Sequence, residues 1–162
     1  MKTNKAAIAI LHEFENCAKR LSNGKLQSYK CPAGVWTIGW GNTFYENGSK
    51  VLEGDVITQE RADTLFLRIL SQFEKDVVFL LRTNVNENQF SALVSFSYNV
   101  GSDIDDDYIP EGLGDSTLLK YVNANPNDPK IRLEFAKWNK AKGKVLNGLS
   151  RRRAAEANLY FL

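Results

Sequence analysis

Ala7, Ile10, Leu11, Phe14, Cys17, Ala18 and Leu21 recur at three- and four-residue spacing, the period of a helix that buries one face. Asn23-Gly24 closes the pattern, as an Asn-Gly pair closes many helices. Glu13 and Glu15 flank the stripe on opposite sides, and helical geometry alone does not choose between them. From Leu26 to Ile57 the texture changes. Val35, Trp36, Thr37 and Ile38 are strand formers and Asn47-Gly48 is a hairpin signal, which predicts a small antiparallel sheet. Thr58 then opens a long helical pattern whose buried face is Ala62, Leu65, Phe66, Ile69, Leu70, Phe73, Val77, Leu80 and Leu81. Asn86 with Gln89 forms a capping box for the next helix, with Phe90, Leu93, Val94 and Tyr98 inward and Val100-Gly101 at its end. Gly101 to Asp115 holds six acidic residues and reads as a solvated loop or mobile insertion. Ser116 caps a short helix through Val122, and Asp128-Pro129 starts another. After a turn-rich patch from Lys140 to Gly148, Ser150 caps a last helix through Phe161. The fold class is α+β, mostly helical, with a small antiparallel sheet near the N-terminus.

With 162 residues, the chain is expected to be one domain that buries about 70% of its unfolded surface. Its net charge of +2 names no partner. The charge is uneven, however: Lys130 to Arg153 carries nine basic residues against one acidic. That run reads as a solvated helix face, or as attraction to an anionic polymer such as cell-wall glycan or nucleic acid. Cys17 and Cys31 are too few for a disulfide framework and read as two thiols, with a bridge between them left open. The apolar run Ala6 to Leu11 meets His12 and Glu13 too soon for a signal peptide or a membrane span. A soluble chain made in the cytoplasm is expected.

One histidine and no Cys or His pair at ligand spacing leave no expected metal site, and no cofactor is implied. Gly39-Trp40-Gly41 follows a strand but lacks the third glycine and the lysine or threonine of a phosphate loop. His12 has no nucleophile motif around it and reads as structural or solvated. Carboxylate chemistry remains. Glycoside cleavage needs a proton donor beside the leaving oxygen and a group that handles the nucleophile. A Glu at the margin of an apolar helix face suits the donor role, because desolvation favours the protonated form.

At this point one segment becomes specific. Phe14-Glu15, Leu26, Ser28-Tyr29, Cys31 and the run from Pro32 through Val35-Trp36-Thr37-Ile38-Gly39-Trp40-Gly41-Asn42-Thr43 resemble the active-site signature of phage-type lysozymes, glycoside hydrolase family 24. Ser95 to Gly101 resembles the family's helix end that faces substrate. Asn147 to Glu156 resembles its arginine-bearing C-terminal helix. The resemblance implies a lysozyme-like two-lobed fold in a single domain, with a β-bearing lobe over about 1–57 and a helical lobe over about 58–162. It implies hydrolysis of the β-1,4 bond between N-acetylmuramic acid and N-acetylglucosamine, by a phage or prophage endolysin. Glu15 matches the catalytic acid and Thr37 the group that helps hold the attacking water, with Cys31 as the third catalytic position. Asn99 and Tyr29 match substrate-binding or supporting positions. Arg151 is the expected partner of Glu15, the register among Arg151, Arg152 and Arg153 being open. The implied partner is peptidoglycan, with no nucleic acid, no stable membrane insertion and a monomeric state. The implied route is synthesis in the host cytoplasm without a signal peptide and action on the wall after release.

The sequence departs from the family pattern in three places. The segment between Glu15 and Tyr29 is longer than in compact members. Asn42 stands where some members have His. Cys31 stands where many have Asp. A neutral thiol is a weak acceptor and a poor general base near neutrality. Three readings of Cys31 follow: a partial thiolate that aids water or attacks carbon, an onlooker while Glu15 acts with Thr37 orienting water, or an oxidisable group that blocks the site. The second is favoured. Alternative functions are a lytic transglycosylase acting on the same bond through one Glu, and a catalytically weak wall-binding module.

Overall fold

The computed structural model describes residues 1–15, 19–31, 34–105, 109 and 111–162. The chain forms two compact units, one of His12–Ser71 and one of Met1–Leu11 with Gln72–Leu162. Helix α1 is Lys5–Phe14, with Ala7 and Leu11 buried. Asn4 caps it, its Oδ1 accepting from Ala7 N at 3.0 Å.

The helix was expected to run to Leu21, but it ends at Phe14, and Lys19–Arg20 is instead strand β1. Cys17 and Ala18 lie outside the described residues. Asn23-Gly24 is a hairpin turn here: Leu21 N donates to Lys25 O at 2.8 Å, Gly24 N to Leu21 O at 3.0 Å, and Gly24 has φ +80°. The same dipeptide stops helices and turns hairpins. Pairing of β1 with β2 (Leu26–Gln27) decides between them. Strand β5 (Val56–Ile57) completes a three-stranded antiparallel sheet in the order β1-β2-β5. A separate hairpin joins β3 (Tyr29–Lys30) to β4 (Trp36–Thr37). Asn47-Gly48 turns as expected: Phe44 bridges Lys50 and Gly48 has φ +81°.

Helix α2 (Gln59–Leu80) starts after Thr58, whose Oγ1 accepts from Arg61 N at 3.1 Å. Ala62, Leu65, Phe66, Leu70 and Val77 are its buried stripe. Glu74 is also buried, and its carboxylate takes up Lys2 Nζ at 2.8 Å, Thr3 N at 2.8 Å and Thr3 Oγ1 at 2.9 Å, which ties the N-terminus down. Helix α3 (Glu87–Val100) opens on the Asn86/Gln89 capping box and is buried from Gln89 to Ser97. Helix α4 (Thr117–Ala124) is capped by Ser116, and α5 (Lys130–Lys137) follows Asp128-Pro129. A hairpin of β6 (Lys140–Ala141) and β7 (Lys144–Val145) turns at Lys142-Gly143, both at positive φ. It delivers the chain straight into α6 (Asn147–Tyr160), so that helix begins before Ser150 rather than being capped by it. Helix α6 packs on α3 and α5. Phe96, Phe135, Trp138 and Tyr160 form an edge-to-face aromatic core there.

The described part of 101–115 is ordered rather than a solvated insertion. Asp103 Oδ2 accepts from Glu111 N at 3.1 Å, Gly112 N at 3.0 Å and Asp115 N at 3.4 Å. Leu113 is fully buried, and a Cβ on Gly114 would collide with the Asp103 carbonyl. One carboxylate satisfying several backbone N–H groups staples a loop that its composition alone marks as mobile. No described helix is long and apolar enough to cross a membrane.

Candidate active site

Glu15 sits just past the end of α1 and is half-buried, whereas Glu13 is exposed on the helix. The structure thus separates two carboxylates that helical spacing leaves equivalent. The hairpin β3–β4 supplies the next groups. Its register pairs Tyr29 with Thr37 and Lys30 with Trp36, and Cys31 N donates to Val35 O at 3.0 Å. Paired and alternate residues share a face, so Tyr29, Cys31, Val35 and Thr37 lie together on one side. Trp36 lies on the other, where Lys30 Nζ is 5.3 Å from its ring. The turn between Cys31 and Val35 contains Gly34 at φ +81°, its N–H donating to Cys31 O at 2.8 Å. Thr37 is 3% exposed and donates its hydroxyl to Val35 O at 3.1 Å. With its proton committed, that hydroxyl is left as an acceptor. Cys31 is half-buried and a thiol, and Cys17, the other half of the possible bridge, lies outside the described residues.

Strand β4 runs into a tight turn closed by Ile38 and Asn42, which exchange backbone hydrogen bonds of 2.8 and 3.0 Å. Gly41 in that turn has φ +91°, and a Cβ built there would lie 3.1 Å from Glu15 Oε2. The turn therefore brings bare backbone against the Glu15 carboxylate, directly after the strand that carries Thr37. Trp40, in the same turn, stacks on His12 with ring centres 3.8 Å apart and planes 9° apart. Its Nε1 donates to Asp63 Oδ1 at 2.7 Å.

In the other unit, Asn99 is exposed in the last turn of α3 and accepts from Arg153 Nη2 at 2.9 Å. Arg151 is exposed on α6, while Arg152 and Arg153 are 2% and 1% exposed. Both buried guanidiniums close on Glu156, which is fully buried. Burial pushes the Glu156 carboxyl up, against the downward pull of Arg153 and Arg152.

The model of the family described as "Phage lysozyme" matches residues 19–156. The chain belongs to the phage lysozyme family. It is 38% identical over 162 residues to an endolysin of Bacillus phage B103, covering 99% of this chain and 54% of that protein. It is 35% identical over 146 residues to an endolysin of Acyrthosiphon pisum secondary endosymbiont phage 1, covering 88% and 90%. Among solved structures it is similar to the endolysin from Escherichia coli O157:H7 phage FAHEc1, with 30% identity, a TM-score of 0.79, and coverage of 99% of this chain and 93% of that one. The chain spans about half the length of the endolysins of Bacillus phages B103 and PZA, 54% and 55%. The α+β, mostly helical lysozyme-like fold expected of a family member is the fold observed.

Three features of the chain carry little or no local signal in its sequence. The buried Arg152–Glu156–Arg153 cluster was visible only as charge, although Glu156 stands at i+4 and i+3 from the two arginines. The Gly41 contact and the Trp40–Asp63 bond carry no local signal beyond the Gly-Trp-Gly string. A concavity of about 540 Å³ lined by Phe79, Arg82, Asp103, Leu119, Lys120 and Asn123 contains none of the expected site residues. Among the described residues, Asp103, Asp105 and Asp115 bring carboxylate oxygens within 4.8 Å of one another. Asp103 is already occupied by backbone N–H groups, so the cluster reads as the loop staple.

Burial lowers the His12 pKa from its ordinary 6.5, against an upward pull from Asp63. The unfolded chain then binds that proton more readily, so stability falls as pH drops below 6.5 toward the folded value. His12→Phe keeps a ring on Trp40 and removes the titration. Its melting temperature relative to wild type is expected to improve between pH 7.5 and 5; a constant difference would refute the linkage.

Proposed function

We propose that this chain is a peptidoglycan muramidase that hydrolyses the β-1,4 bond between N-acetylmuramic acid and N-acetylglucosamine, acting as a phage or prophage endolysin on the cell wall. We read residues 1–162 as its single lysozyme domain. The observation that carries the reading is the half-buried Glu15 carboxylate held against Gly41, in the turn that follows the Thr37 strand. Glu15 donates its proton to the glycosidic oxygen as the bond to the anomeric carbon breaks. A water held by the Thr37 hydroxyl, an acceptor by virtue of its bond to Val35, adds to that carbon and releases its proton to solvent, from which the Glu15 carboxylate is reprotonated. Tyr29 supports the hairpin face, and Asn99 contacts sugar from a position fixed by Arg153. Arg151 remains the proposed partner of Glu15. The two buried arginines beside it serve Glu156.

The test of the reaction is product analysis on purified wall. Reducing-end muramic acid is expected; anhydro-muropeptides would mean a lytic transglycosylase instead. The test of Cys31 is an activity–pH series with Cys31→Ser and Cys31→Asp. A general base contributes about a hundredfold or more. Because Glu15 and Thr37 are assigned the work, Cys31→Ser is expected to stay within about threefold of wild type, well short of that factor. A hundredfold loss together with a displaced pH limb would make the thiolate the base.

A further inference from the structure

The geometry points to Asp63 as a positioning residue that acts through Trp40 on Glu15. The inference rests on the reading of Glu15 as the proton donor. The three-residue turn Gly39-Trp40-Gly41 has two seats on α2. A Cβ on Gly39 would lie 2.9 Å from Ala62 Cβ, so the backbone is pressed onto the helix. The next helix residue, Asp63, accepts the Trp40 indole N–H at 2.7 Å and Gln59 Nε2 at 2.9 Å through the same oxygen. The turn has two further contacts, with α1 and the residue just past it. The Trp40 ring lies parallel on His12 at 3.8 Å, and Gly41 faces the Glu15 carboxylate, whose Oε2 would lie 3.1 Å from a Cβ built there. His12 and Glu15 are three residues apart, one in the last turn of α1 and the other just past its end. Phe66 backs the stack, with its ring centre 4.8 Å from His12.

A short hydrogen bond to a carboxylate is strong and directional, and here it sets the rotation of the indole about the turn. The positive φ values of Gly39 and Gly41, +59° and +91°, let the backbone follow that rotation. Where Gly41 sits then decides where Oε2 rests. A displacement of about 1 Å at a reacting group costs about a hundredfold in rate, so a bond two contacts away reaches the chemistry. Trp40 serving only as packing would predict a loss of stability with the turnover of the folded enzyme intact.

The test compares Asp63→Leu, Asp63→Asn and Trp40→Phe with wild type on soluble peptidoglycan oligomers, where kcat and KM separate, at temperatures well below each melting point. Asp63→Leu removes the acceptor. Trp40→Phe removes the donor while keeping a ring on His12. Both are expected to lose about tenfold to a hundredfold in kcat with KM nearly unchanged. Asp63→Asn keeps an oxygen for the indole and is expected to recover most of that loss. Wild-type kcat in folded Trp40→Phe, or a loss in Asp63→Asn equal to that in Asp63→Leu, overturns the positioning role. Glu15→Gln run alongside separates the two claims. If it stays active, the reading of Glu15 itself fails; if it is inactive while Trp40→Phe turns over normally, only the role of Asp63 fails.

Discussion

Glu15→Gln is expected to reduce wall lysis by about a thousandfold or more, within the range a positioned general acid contributes, while leaving the fold intact. Gln has the shape of Glu and can keep the contact with Gly41, so the side chain need not move. It cannot give up a proton to a leaving oxygen. No second carboxylate stands at position 31 to take over, because Cys31 is a thiol. Glu13→Gln is the matched control: Glu13 is exposed on α1, and its loss is expected to change the rate by less than about twofold, since an exposed charge of this kind contributes little. Turbidity loss of purified peptidoglycan, with melting temperatures in parallel, reads both. Equal lysis by Glu15→Gln and wild type would remove Glu15 from the mechanism.

The choice between those two glutamates shows how far local pattern reaches. Elements whose signals sit within three residues of each other were legible: the Asn86/Gln89 box, the Ser116 cap and the Asn47-Gly48 turn all form as read. The end of α1 was not, because Asn23-Gly24 suits a helix stop and a hairpin equally, and the decision belongs to pairing with β2. The order in 101–115 depends on Asp103 collecting N–H groups eight, nine and twelve residues away, which composition cannot show. At the site, Glu15 stood out only through the family motif, and its distinguishing feature is an unsignalled contact with Gly41. The basic stretch divides. Lys140, Lys142, Lys144 and Arg151 are exposed as a solvated face would be, yet Arg152 and Arg153 are core residues. A carboxylate three and four positions on, beside a serine from another helix, is what makes a buried arginine pair affordable.

That cluster carries the largest expected effect on stability. Glu156→Ala is expected to cost about 3–5 kcal/mol, the range for removing one partner of a buried ion pair, and to lower the melting temperature by roughly 10 °C. Glu156 Oε1 accepts from Ser95 Oγ at 2.8 Å, Arg152 Nε at 3.2 Å and Arg153 Nη2 at 3.3 Å. Arg153 Nε approaches Oε2 at 3.0 Å as an ion contact rather than an aligned hydrogen bond. Truncation takes the Glu156 carboxylate away from two guanidiniums buried at 2% and 1% exposure. Partial compensation comes from the Ser95 carbonyl, 3.3 Å from Arg152 Nη2, and from the Phe96 ring, 4.8 Å from the Arg153 guanidinium. Neither neutralises a charge. The cost is therefore desolvated charge rather than lost attraction, and a second variant separates the two. Replacing Arg152, Arg153 and Glu156 together by Met, Met and Leu removes every charge of this cluster and is expected to recover most of the stability that Glu156→Ala loses, as apolar replacement of buried ion pairs can. It also removes the donor to Asn99 Oδ1, so this stable variant is expected to bind substrate more weakly. A triple variant less stable than Glu156→Ala would show that the attraction itself, and not its broken remainder, holds α6 to α3.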